Sequence, residues 1–169
     1  LSEDKTQSLI EQVHAGTLDI ALIALPYKTP GLQVTPLFTD ALLLTQPTAQ
    51  SAPINHTDLD QHTLLLLPEG HCLHDQALDL CHLPGARAGR AFQSNSLITL
   101  IQMVANGIGV TVIPQMAVDS GVLAETQITT TPLTDAHAQP VTRTIACIWR
   151  KLHAQTRDLE HIAYEITCL

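Results

Sequence analysis

Four apolar runs, each ended by a chain breaker or a polar stretch, limit what this chain can fold into. Leu18 to Leu25 is apolar except for Asp19 and stops at Pro26. Leu64-Leu65-Leu66-Leu67 is closed by Pro68-Glu69-Gly70, and Val110 to Ile113 by Pro114. Thr142 to Trp149 is the fourth run. Runs this short read as buried strands. Between them the apolar spacing becomes helical. Leu9, Ile10 and Val13 are followed by Gly16 as a stop. Ser94-Asn95-Ser96 can cap a helix whose Leu97, Leu100, Ile101 and Val104 fall at i, i+3, i+4 and i+7, with Asn106-Gly107 ending it. Leu159, Ile162, Ala163 and Ile166 predict a last helix. Strands alternating with helices predict an α/β class with a largely parallel sheet and flanking helices. Gln33–Leu37 and Ala41–Thr45 read as two short strands with a turn between them. Gln46–Asp60 reads as loop, and Thr126–Pro140 as irregular or edge structure.

Composition narrows the function. The 169 residues allow one domain or two small lobes. With 45% hydrophobic but only 3% aromatic residues, the core has to be aliphatic. The net charge of −8, from 8 Lys+Arg against 16 Asp+Glu, leaves no basic patch to grip nucleic acid. No run of 18 apolar residues suggests a membrane helix, and no signal-peptide pattern opens the chain. The chain starts at Leu1 rather than Met, so a piece of a longer protein is expected. Gly107-Ile108-Gly109-Val110 follows a helix and lacks the phosphate-binding lysine, so it is not a nucleotide loop.

The chemistry concentrates in Gly70-His71-Cys72-Leu73-His74-Asp75-Gln76-Ala77-Leu78-Asp79-Leu80-Cys81, which holds two of the four cysteines. With no export signal a reducing compartment is expected, where a disulfide would be transient and functional. Cys147, in Ile145-Ala146-Cys147-Ile148-Trp149, reads as a buried small hydrophobe, and Cys168 as incidental. Cys72 stands at the predicted start of a helix, where the dipole and unpaired N–H groups favour a thiolate. His71 and His74 flank it and could add positive character, and Gly70 lets the backbone turn sharply. A thiolate attacks peroxide to give a sulfenic acid, which a second thiol converts to a disulfide. Cys81 is a candidate for that second thiol. A helix over 73–81 would separate the two cysteines by about 13 Å along its axis, whereas a disulfide needs Cα atoms within about 7 Å. Helix and bridge therefore exclude each other. Two other readings stay open here. Both cysteines could be ordinary buried residues, or Cys72, His74, Cys81 and His82 could be zinc ligands, although ligands on opposite helix faces do not converge. Arg143, beside an apolar strand, reads either as a surface residue or as a buried charge needing an anionic partner.

The same segment, with Cys81 nine residues after Cys72, resembles the peroxide-sensing OxyR family of LysR-type transcriptional regulators. Further segments are similar to that family: Gly16-Thr17-Leu18-Asp19-Ile20-Ala21-Leu22, Pro36-Leu37-Phe38, Ser94 to Leu100, Met103 to Pro114, and Arg143-Thr144-Ile145. The resemblance implies a two-lobed fold like periplasmic binding proteins, the LysR-type effector domain. It implies lobe I from 1–41 with 143–169, lacking its first strand and helix, and lobe II from 42–142. The DNA-binding domain is then absent from this chain. By the same resemblance Cys72 is the peroxidatic cysteine and Cys81 the resolving one. Thr6, Gly70, His71, Leu73, Asp75 and Arg143 surround a peroxide pocket, and Ser96 and Thr99 line the effector cleft. No metal or cofactor is implied. The implied partners are hydrogen peroxide, a second copy forming a homodimer, a tetramer when full length, promoter DNA through the absent helix-turn-helix, RNA polymerase, and a glutaredoxin- or thioredoxin-type reductant. The implied place is the bacterial cytoplasm, away from the membrane, and the implied role is a sensor rather than an enzyme. One departure is His74, where many members carry Arg. A neutral imidazole supports a neighbouring thiolate less than a fixed guanidinium, so weaker or pH-dependent sensitivity is expected. The alternatives are a small-molecule effector domain with structural cysteines and a thiol peroxidase.

Overall fold

The computed structural model describes residues 2–50, 52, 54, 59, 61–80, 92–135 and 138–168. Cys81, His82 and His137 lie outside these. The chain divides into two compact units, Leu1–Asp40 with Arg143–Leu169, and Ala41–Thr142.

In the first unit, helix α1 (Thr6–Ala15) forms where the apolar spacing predicts it. Ile10 and Val13 are buried, and Gly16 takes the left-handed conformation that lets its N–H return to the Val13 carbonyl. Strand β1 (Ile20–Leu25) pairs antiparallel with β7 (Thr142–Arg150), from Ile20 opposite Trp149 to Leu25 opposite Thr144. Ala21, Ile23 and Ile148 join Ile10, Val13 and Leu32 in an aliphatic core. Helix α5 (Thr156–Thr167) buries Leu159 and Ala163 but leaves Ile162 exposed, a narrower stripe than the spacing predicts. Arg150 closes the end of α1 by donating to the Val13 and Leu18 carbonyls at 2.7 and 2.9 Å. Asp19 accepts from His153 at 3.0 Å, and this bond holds its carboxyl below the ordinary value.

One long strand, β2 (Leu32–Pro47), carries the chain from the first unit into the second. It replaces the two short strands and intervening turn expected from Gln33–Leu37 and Ala41–Thr45. Asp40 falls in that expected turn, but it is buried and ion-paired, and extended backbone continues through it. Gln46 is also buried strand rather than loop. Its side chain donates to the Gln50 and Ala52 carbonyls at 3.2 and 2.9 Å and accepts from the Ile54 N–H at 2.9 Å.

In the second unit β2 pairs antiparallel with β5 (Thr111–Pro114) and with β6 (Ile128–Pro132). Strand β3 (Leu65–Leu66) pairs parallel with β4 (Phe92–Gln93), and Leu64 makes a parallel bridge to Val110. The two-lobed α/β class holds, but the described ladders are more often antiparallel than parallel. A continuous apolar run reports burial on both faces, not strand direction.

The four leucines at 64–67 show that burial directly. Leu64 and Leu66 join a core with Leu73 and Ala77 of α2 (Cys72–Leu80), together with Leu42, Leu44, Val110 and Val112. Leu65 turns the other way, onto Leu100 and Val104 of α3 (Leu97–Ala105). Hydroxyls stitch the strands: Thr111 donates to the Leu65 carbonyl at 2.7 Å and Thr45 to the Thr111 carbonyl at 2.8 Å, both buried. A short helix, α4 (Gln115–Asp119), follows β5 and has no strong sequence signal.

Gly109 permits the closest of these approaches. A Cβ there would lie 2.3 Å from the Thr63 carbonyl oxygen, the atom that accepts from the Val110 N–H at 2.9 Å. Gly109→Ala is expected to force β3 from Val110 and lower stability by about 1–3 kcal/mol, read as a reduced urea midpoint at unchanged slope.

Candidate functional site

The turn Pro68–His71 leads out of β3 into α2. Gly70 stands at φ +89°, a region that disfavours side chains. The His71 N–H donates to the Pro68 carbonyl at 3.3 Å, and the His74 N–H to the His71 carbonyl at 2.9 Å. Cys72 is then the first residue of α2 and is half-buried. Its sulfur therefore sits at the positive end of the helix dipole. Leu73 and Ala77, four residues apart, face the core and fix the rotation of the helix. That rotation leaves Asp75 exposed and puts Cys72 and Gln76 on one flank, both half-buried.

His74 faces inward and is only 5% exposed. Its Nδ1 lies 2.6 Å from the Leu67 carbonyl oxygen. A carbonyl can only accept, so Nδ1 carries the proton in that bond. One ring nitrogen of His74 is thus committed to the end of β3.

Gly70, His71, Cys72, Leu73 and Asp75 thus form one continuous turn and helix start in the second unit. Ser96 and Thr99 belong to that unit too. Ser96 is the N-cap of α3, its hydroxyl accepting from the Thr99 N–H at 3.5 Å, and both residues are exposed. Thr6 and Arg143 belong to the first unit. Thr6 is buried at the start of α1. Arg143 donates through Nε to Asp40 Oδ2 at 2.9 Å, with its terminal nitrogen also 2.9 Å from that oxygen. Of the two readings of Arg143, the buried charge with an anionic partner is the observed one. Asp40 was not legible as that partner, because 103 residues separate them.

The remaining cysteines divide by burial. Cys147 is fully buried in β7, and burial pushes its thiol up to about 11. Cys168 is exposed. Among the described residues no group of three or more His, Cys, Asp or Glu side chains is placed to hold a metal ion. No described helix is long and apolar enough to cross a membrane.

Comparison with known proteins places this geometry. Residues 1–165 match the LysR substrate binding domain family. The chain is 45% identical over 123 residues to a probable hydrogen peroxide-inducible genes activator of Mycobacterium avium, covering 70% of this chain and 40% of that protein. It is 38% identical over 168 residues to the corresponding protein of Streptomyces viridosporus, covering 95% of this chain and 52% of that one. The chain thus spans about half or less of these relatives' length. Among solved structures, the reduced form of the OxyR2 regulatory domain from Vibrio vulnificus aligns with a TM-score of 0.87 at 31% identity, covering 99% of this chain and 79% of that one.

Two outcomes follow from the site geometry. Asp40→Ala removes the carboxylate partner of the largely buried Arg143 guanidinium and is expected to cost about 3–5 kcal/mol, whereas the double change Asp40→Leu with Arg143→Met recovers most of that loss; chemical denaturation of the parent and the two variants measures both. In the native protein, brief treatment with iodoacetamide at pH 8 labels Cys168 and leaves Cys147 unlabelled until the chain is unfolded, as peptide mass spectrometry will show.

Proposed function

The chain belongs to the LysR substrate-binding domain family, and from that premise we propose that it is the redox-sensing regulatory domain of a hydrogen-peroxide-responsive transcription regulator. The observation that carries this reading is the position of Cys72. It is a half-buried cysteine at the first residue of a helix, directly after a glycine-permitted turn. The relatives' names point to the same stimulus.

The proposed chemistry has two steps. The Cys72 thiolate attacks one peroxide oxygen; the O–O bond breaks, hydroxide leaves and takes up a proton as water, and Cys72 becomes a sulfenic acid. The Cys81 thiol then attacks that sulfur, an S–S bond forms and a second water leaves. Two electrons pass from the two thiols to peroxide, and a dithiol reductant of the glutaredoxin or thioredoxin class returns them.

Geometry makes the second step a conformational event. Cys72 and Leu80 terminate a nine-residue helix, which holds their Cα atoms about 12 Å apart. One further residue reaches about 3.8 Å, so a 72–81 bridge cannot close to about 7 Å while α2 is intact. Oxidation must therefore unwind at least part of α2. In the proposed full-length regulator this rearrangement alters contacts between copies and hence promoter DNA binding and the response of RNA polymerase. Gly70, His71, Leu73 and Asp75 are proposed to line the peroxide site, with Ser96 and Thr99 in the effector cleft. The setting proposed is the bacterial cytoplasm.

A sensor of this kind reacts once per reduction cycle and does not turn over rapidly. Sub-stoichiometric peroxide on the reduced protein is expected to produce a Cys72–Cys81 linked peptide with loss of helical circular dichroism, and Cys72→Ser to abolish both. Formation of no such bridge, or an equal response in Cys72→Ser, contradicts the sensor reading. Sustained peroxide consumption with added dithiol would indicate a peroxidase instead.

A further inference from the structure

We propose that His74 is a positioning residue, a latch that holds α2 in its helical form and so sets how readily Cys72 and Cys81 are bridged; this rests on the sensor reading above. His74 lies two residues after Cys72, inside the ten-residue segment that a 72–81 bridge would close into a loop. Its imidazole is buried and bonded through Nδ1 to the Leu67 carbonyl at 2.6 Å. Leu67 directly follows β3, whose Leu65 and Leu66 are buried on opposite faces. The bond therefore ties the first turn of α2 to the end of the buried strand β3, across the Gly70 turn.

Two further attachments of α2, Leu73 and Ala77, are different in kind. They are held by apolar packing, which is non-directional and tolerates sliding. The imidazole bond is directional and needs the first helical turn to aim the ring at Leu67. Rewinding 72–81 into a closed loop redirects that turn, so the bond belongs to the thiol form and is lost in the disulfide form. A contact present in only one of two states shifts the equilibrium towards that state. His74 then favours the reduced protein and makes the disulfide easier to reduce.

The test is a redox titration of this chain against glutathione, read by quantifying the Cys72–Cys81 peptide. His74→Phe keeps a buried ring without the donor. His74→Asn keeps a donor nitrogen near the Nδ1 position, and His74→Gln, whose nitrogen falls nearer Nε2, is the second variant without the bond should the phenylalanine form fail to fold. Removing a hydrogen bond of this kind is expected to move the equilibrium about fivefold or more towards the disulfide, and a tenfold change would lower the potential by about 30 mV. The latch is supported if Phe or Gln shifts the equilibrium and Asn stays near the parent. Equal potentials in all forms overturn the latch while leaving the sensor intact. An equal shift in Asn also overturns it, because packing rather than the bond would then be responsible. Absence of any Cys72–Cys81 bridge in the parent overturns the sensor reading and the latch with it.

Discussion

The reactive unit depends on burying both faces of a very short strand. Leu64 and Leu66 pack towards α2, and Leu65 packs towards α3. Nothing in a strand of two paired residues is stable by itself. It persists because Gly109 lets the next strand approach, and because the Thr111 hydroxyl bonds to the Leu65 carbonyl from the neighbouring backbone. The end of this strand then delivers the chain, through Gly70, to Cys72 at the start of α2. The placement of the thiol thus follows from close packing several residues away.

In the proposed switch the helix α2 has to form in one state and be released in the other. Leu73, Ala77 and His74 are its buried attachments among the residues whose side chains are described. Closing a loop of ten residues with a disulfide constrains the unfolded segment by about 2.7 kcal/mol. A methylene-rich side chain lost from a core costs a comparable amount. Both terms oppose the bridged form, so the free energy released in reducing peroxide has to drive the proposed switch.

Much of the local structure was legible because its signal is local. The stripe at Leu97, Leu100, Ile101 and Val104, with Ser96 before it and Asn106-Gly107 after it, predicts α3 residue by residue. Helix α1 and strands β1 and β7 also form at their predicted places, with displaced ends. Two misread positions share one cause. Asp40 and Gln46 read as turn and loop residues, yet both are buried in β2 because distant groups satisfy them: Arg143 pairs with the carboxylate, and three loop backbone groups bond to the amide. Polar residues break strands only when water is their best partner.

By itself the sequence determined the α/β class, most helices, and the conflict between a helix and a bridge at the 72–81 spacing. These depend on periodicity and on covalent reach, which are properties of the chain alone. Tertiary structure decided strand direction, the union of two expected strands into β2, the pairing of Arg143 with Asp40, and the bond between His74 and Leu67. Each of those depends on which groups meet after long loops have closed. In His74 the difference is plain: its sequence position marks it as a neighbour of Cys72, but the fold turns its Nδ1 to the carbonyl of Leu67.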